Sequence, residues 1–163
     1  PGFRMKLDLE RQPGGRSELE IAGELDLGEV AGRPRRIRLA GLLTVDDVSS
    51  RFLLGGELTA QGNAACSRCL REFPFAWAVP VEIQVLRDVD TDEGEGDTLV
   101  IHQRKGEVDL RDALRETVVL AYPQAPLCGE DCLGLCLVCG VDRNEIACTC
   151  AEEEHDPRWD ALP

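Results

Sequence analysis

Histidine is nearly absent from this chain: His102 and His155 are the two present among 163 residues. With so few imidazoles and no H-E-x-x-H, G-x-x-x-x-G-K or G-x-S-x-G segment, metalloprotease, P-loop and serine-hydrolase chemistry are excluded. His155 lies in "EEEHDPRW" and reads as solvated. Basic residues are scarce too, 18 against 31 acidic ones, and a formal charge of −13 does not suit a protein that gathers phosphates by bulk attraction. Contact with nucleic acid must therefore be local, and the same surface favours basic partners. No run approaches the roughly 18 apolar residues of a membrane helix, and the opening "PGFRMKLDLE" lacks the order of a secretory signal. These absences predict a cytoplasmic protein with no membrane partner. In a reducing compartment, cysteines are read first as metal ligands and only then as disulfides.

Alternation organises most of what is present. Met5, Leu7 and Leu9 share one parity, as do Leu19 with Ile21, Ile37 with Leu39, Leu43 and Val45, and Phe52 with Leu54, Leu58 and Ala60. That is the period of half-buried strands. In "FPFAWAVPVEIQV" every odd position from Phe73 to Val85 is apolar, and Pro74 and Pro80 fall on the other parity, the mark of an edge or a bend. A strand that long must curve, which predicts a curved or barrel-like sheet. Phe73, Phe75 and Trp77 share parity with the core positions, so they read as core more readily than as base-stacking surfaces. "DVDTDEGEGD" (88–97) reads as a mobile loop and "TLVIHQ" as a short strand. From Asp109, a plausible N-cap, the period becomes helical, with Leu110, Ala113, Leu114, Thr117, Val118 and Ala121 along one face and Pro123 and Pro126 beyond it. The fold class expected is α+β: mostly antiparallel β with one packed helix near 109–121 in a body of residues 1–126. A cysteine-rich module and tail follow at 127–163.

Six of the eight cysteines crowd into "CGEDCLGLCLVCGVDRNEIACTC" (128–150). This segment offers too few apolar side chains to hold itself together, whereas zinc–thiolate binding contributes on the order of 10–16 kcal/mol in small peptides. The thiols stand in for a core. Cys136 and Cys139 form C-x-x-C followed by Gly140, a turn suited to presenting thiolates. Cys148 and Cys150 complete a four-thiolate site from one side, Cys128 and Cys132 from the other, and the spacing does not choose. Cys66 and Cys69 in "CSRC" form a further pair, enough in number for a second zinc. Disulfides, an iron–sulfur cluster and a redox pair are the competing uses of these thiols. A site made only of thiolates leaves no open position for water, so zinc here is structural and the chain is read as no enzyme and as having no small-molecule substrate. "RPRRIR" gathers Arg33, Arg35, Arg36 and Arg38, and Arg68 and Arg71 flank the first cysteine pair. These six are the candidate phosphate contacts, against the plain alternative of a basic face balancing nearby acids.

"CSRCLREF", "VDLRDALRETVVLAYPQAPLC", "CLGLCLVCGVDRNEIACTC" and "DPRWDAL", in that order, resemble the YceD family, the large ribosomal RNA subunit accumulation proteins, over roughly residues 35 to 162. The resemblance implies a part in making or stabilising large-subunit ribosomal RNA, with no described catalysis. It carries over Cys66, Arg68, Cys69, Asp109, Glu116, Pro123, the six later cysteines, Asn144, Asp156, Pro157 and Arg158 as motif positions. Leu133 and Leu137 depart from it, standing where the family often has lysine and proline, though neither ligands nor Gly140 change. Some members lack the late cysteines, so metal supports the fold and is not the shared function. The expected partner is large-subunit ribosomal RNA or a pre-ribosomal particle. The alternatives are an acidic chaperone for a basic ribosomal protein and a thiol redox or zinc-sensing protein.

Overall fold

Period-two apolar patterning becomes strand wherever it was anticipated. The computed structural model describes residues 5–28, 34–48, 50–87 and 98–150. In chain order the elements are β1 (Lys6–Asp8), β2 (Arg16–Asp26), β3 (Arg36–Val48), β4 (Arg51–Ala65), β5 (Glu72–Leu86), β6 (Leu99–His102), β7 (Glu107–Asp109) and α1 (Arg111–Leu120). The main sheet runs β2-β3-β4-β5-β6, antiparallel except for the parallel β5–β6 pair, and β1 pairs with β7 in a small second sheet. One parity of each long strand faces inward: Ile21 and Leu25, Ile37 to Val45, Phe52 to Ala64, and Trp77 to Val85 all join one buried core.

The sheet is open. β2 and β6 are its edges and do not pair, so the barrel-like form expected from the sequence is corrected to an open sheet covered by a helix. Closure would need a long last strand beside β2, but β6 has four residues and runs parallel to β5. The inner face is covered by α1 instead, which buries Ala113, Leu114 and Val118 and packs on β5 and β2. The helix starts one residue later than its acidic signal suggests. Leu110 is the N-cap, and Asp109 instead accepts the Arg111 backbone N–H at 3.0 Å and pairs with the Arg111 guanidinium. No helix of the described residues is long and apolar enough to cross a membrane. The expected loop at 88–97, the "DPRWDALP" tail and Arg33 lie outside the described residues.

Two interruptions in the inward apolar parity are glycines that let β3 and β4 approach. Gly41 sits opposite Leu58 and Gly56 opposite Leu43, at φ of 154° and 150°, conformations that side chains rarely adopt. A Cβ on Gly41 would come within 2.8 Å of Leu58 Cδ2 and 3.2 Å of the Glu57 carbonyl oxygen.

At the far end of the sheet, β4 turns into β5 through residues 66–71. Arg38 pairs across to Gln61, and Gln61 to Ala76, so β3 brings its arginines to this same end. The segment after α1 returns here too, with the Ser67 N–H donating to the Pro126 carbonyl at 2.9 Å. The Gly41→Ala variant is expected to lose about 2–3 kcal/mol of unfolding free energy through strain and overpacking. Gly14→Ala, with nothing within 4 Å, is expected to be neutral or to gain up to about 1 kcal/mol. Urea denaturation of the two variants measures both.

Candidate metal centres

One turn is built twice. In the β4–β5 connection the Cys66 N–H donates to the Arg71 carbonyl at 2.9 Å and the Leu70 N–H to the Cys66 carbonyl at 2.9 Å. Seventy residues later the Cys136 N–H donates to the Val141 carbonyl and the Gly140 N–H to the Cys136 carbonyl, both at 2.8 Å. The residue after each C-x-x-C pair is left-handed, Leu70 at φ 61° and Gly140 at φ 74°. Each turn thereby presents two sulfurs on one side and aims backbone N–H groups at the first of them.

The structure makes the choice that spacing left open. Cys128 and Cys132 close on the first turn, with sulfurs 3.7 Å apart for both Cys66–Cys132 and Cys69–Cys128. Cys148 and Cys150 close on the second, with Cys148 at 3.3 Å from Cys136 and 3.5 Å from Cys139. Within each group all four sulfurs lie within 4.8 Å of one another. These spacings are far beyond a disulfide's roughly 2.05 Å and near the tetrahedral edge of about 3.8 Å that a zinc–sulfur bond of about 2.3 Å generates. The thiols are free. Either group could hold a metal ion. In the first, Cys66, Cys69 and Cys132 are buried and Phe73 packs against both this cluster and the main core. The second is more open, with Cys139 exposed.

The local electrostatics favour thiolate at the head of each turn. Burial pushes the Cys66 thiol up, but N–H groups of Cys128, Cys69 and Arg68 outweigh it and bring it down to about 6. At Cys136 the Cys139 and Val138 N–H groups, then the Cys148 side chain, lower the thiol to about 6. The sulfurs that then face an anion are held as thiols. Burial and the Cys132, Cys66 and Cys69 side chains push Cys128 up to about 12, and the Cys148 and Cys139 side chains lead in pushing Cys150 up to about 12. A divalent ion bound there would remove this mutual repulsion and take the place of the remaining protons.

The candidate arginines separate into two sets. Arg68 donates to the Cys132 and Glu130 carbonyls at 3.0 and 3.3 Å, and Arg71 pairs with Asp142 at 3.0 Å and Glu145 at 3.7 Å. Both brace the cysteine turns. Arg35 and Arg36 approach Asp26 at 3.7 and 3.9 Å, and Arg38 lies opposite Glu24. Arg36 and Arg38 line an outer-face cleft of about 620 Å³ with Gln61, Asn63 and Pro74. The bracing roles of Arg71, Asp142 and Asn144 were not legible from spacing, although Asn144 is a motif position in the resemblance.

A sheet whose end turn shares a four-sulfur group with the segment after its helix, beside a second such group, defines a cysteine-stapled β-protein. The chain belongs to the YceD family: the family model described as large ribosomal RNA subunit accumulation protein YceD matches residues 54–163. An uncharacterized protein of Mycobacterium tuberculosis is 34% identical over 123 residues, covering 74% of this chain and 58% of that protein. An uncharacterized Mycobacterium leprae protein is 33% identical over 109 residues, covering 60% and 46%. The Arabidopsis thaliana protein named large ribosomal RNA subunit accumulation protein YCED homolog 1, chloroplastic, is 34% identical over 178 aligned positions, covering 99% of this chain and 52% of its own length. The chain thus spans about half the length of these curated relatives. No solved structure matches it.

The left-handed positions supply a paired test. Gly140 has open space around it, so Gly140→Ala carries only the conformational cost of about 1 kcal/mol. Leu70→Gly removes that same cost from the first turn and is expected to raise stability by up to about 1 kcal/mol, read from thermal unfolding of the metal-replete chain.

Proposed function

We propose that this chain is a non-enzymatic factor in large ribosomal subunit biogenesis. It supports accumulation of large-subunit ribosomal RNA by docking on pre-ribosomal RNA in the cytoplasm, with one structural zinc ion in each cysteine group. Family membership supports the link to ribosomal RNA. The observation that carries docking is the placement of Arg36 and Arg38 on one outer face, with Gln61 and Asn63 beside them in the cleft. Alternate residues on a strand place the two guanidinium stems about 7 Å apart, a spacing suited to neighbouring phosphates of one strand. The amides of Gln61 and Asn63 can add hydrogen bonds to sugar or base. Zinc is supported by the all-sulfur donor set and by its compactness, which suits one tetrahedral ion per group better than a polynuclear cluster.

A second reading has its own observation. The outward positions of edge strand β2 include Glu18, Glu20, Glu24 and Asp26 beside Arg16 and Ala22, a mainly acidic stripe that suits a basic ribosomal protein held before assembly. Gel-shift titrations on large-subunit RNA separate the two. Replacing Arg36 and Arg38 together by Glu is expected to weaken binding by roughly tenfold or more and to flatten the salt dependence by roughly two phosphate contacts. Unchanged affinity and slope, with nuclease-resistant copurification of one basic protein, would transfer the function to the acidic stripe.

A further inference from the structure

The two cysteine groups are joined by side chains and backbone groups that are not themselves sulfur ligands. Asn144 lies between Cys139 and Cys148, inside the loop closed by the second group, yet its side chain serves the first. Its Oδ1 accepts the Leu133 backbone N–H at 2.8 Å, and its Nδ2 donates to Cys132 Sγ at 3.5 Å. The same Nδ2 donates to Asp142 Oδ1 at 2.6 Å, and Asp142 Oδ2 receives Arg71 from the first turn at 3.0 Å. The amide orientation is fixed by its partners, since a backbone donor must meet oxygen and a carboxylate must meet nitrogen.

The backbone is joined as well. The Leu135 N–H, one residue before the second turn, donates to the Arg68 carbonyl at 3.0 Å in the middle of the first. The Arg143 N–H donates to the Gly134 carbonyl at 2.9 Å. Gly134 is left-handed at φ 71° and buried, and a Cβ there would meet the Arg68 carbonyl oxygen at 3.0 Å. Ordering either turn therefore orders groups that the other requires.

We infer that the two sites form one coupled metal centre, in which an ion in the Cys136, Cys139, Cys148, Cys150 group tightens binding in the Cys66, Cys69, Cys128, Cys132 group and the reverse. Asn144 and the Arg71–Asp142 pair carry the coupling. This rests on the reading that each group holds one zinc ion. Hydrogen bonds from outside the ligand set orient ligands and typically change metal affinity by about 10–100-fold when removed. Coupling between sites is reciprocal by linkage, and a coupling of 5–150-fold is typical. Repulsion between two anionic tetrathiolate centres opposes it. That repulsion is reduced because Arg68 and Arg71 lie at the junction and the second group is open to solvent.

The test is competition of the reduced, zinc-loaded 163-residue chain against a chromophoric zinc chelator, with the ion count taken by native mass spectrometry and the sheet followed by circular dichroism. Wild type is expected to carry two ions and to surrender both over one range of chelator concentration. Cys139→Ser alters only the second group, yet the ion left in the first should be given up at about tenfold lower chelator concentration. Asn144→Ala, which removes no ligand, should keep two ions but separate their release into two steps. Loss of both ions from Cys139→Ser with the sheet intact is the same coupling at greater strength. If wild type carries two ions but Cys139→Ser holds its remaining ion as tightly as wild type does, coupling is overturned while the zinc reading stands. Fewer than two ions in wild type overturns both.

Discussion

The end of the sheet where β4 turns into β5 is organised by four sulfur atoms drawn from two distant parts of the chain. Cys66 and Cys69 belong to the turn between the two longest strands, and Cys128 and Cys132 arrive only after β5, β6, β7 and α1 have intervened. The hydrophobic core does not reach this far. Cys66, Cys69 and Cys132 make a separate buried cluster, tied to the main core through Phe73. Beyond it, Leu133, Leu137, Val138 and Ile146 are left exposed, so burial cannot shape the segment that carries them. An ion held by four thiolates can, because its binding free energy is folding free energy for whatever it organises.

That constraint accounts for where two of the candidate arginines of a strongly acidic chain are placed. Arg68 and Arg71 cap carbonyls and pair with acids around the sulfur groups, where a guanidinium offsets the negative charge gathered there. Arg36 and Arg38 stay on the outer sheet face at the same end. Under the proposed function, the metal centre is a brace and the neighbouring sheet face is the working surface.

Much of the fold was legible because burial is one-sided. A period of two with apolar residues on one parity, as from Phe73 to Val85, admits a strand and little else. The open form of the sheet was not legible. A long curved strand is equally compatible with closure, and the outcome turned on the short, parallel β6 and on the helix, which are tertiary facts. The small β1–β7 pair was missed for a related reason: Glu107–Asp109 reads as the approach to a helix, and only its partner makes it a strand. At the sulfur groups, spacing revealed the turn at Cys136–Gly140 and a further pair at Cys66 and Cys69, but not that the two turns are alike nor which pairs close them. C-x-x-x-C and C-x-C are both able to complete a tetrahedron, and the choice was made by where the chain re-enters after the helix. Asn144 carried no chemical signal in the sequence because its role is to donate to a sulfur twelve positions away.

The central claim is that coordinated sulfur, and not apolar packing, holds the segment from Gly129 to Ile146 against the end of the sheet. Amide hydrogen exchange at Leu135, Cys136 and Gly140 tests it most directly, because each of these N–H groups donates to a carbonyl within or between the two turns. In the metal-loaded chain they should be protected, and after metal is stripped under reducing conditions they should exchange at the rate of an unstructured peptide while the β3–β4 amides stay protected. Protection at those three amides that survives removal of every bound ion would contradict the account.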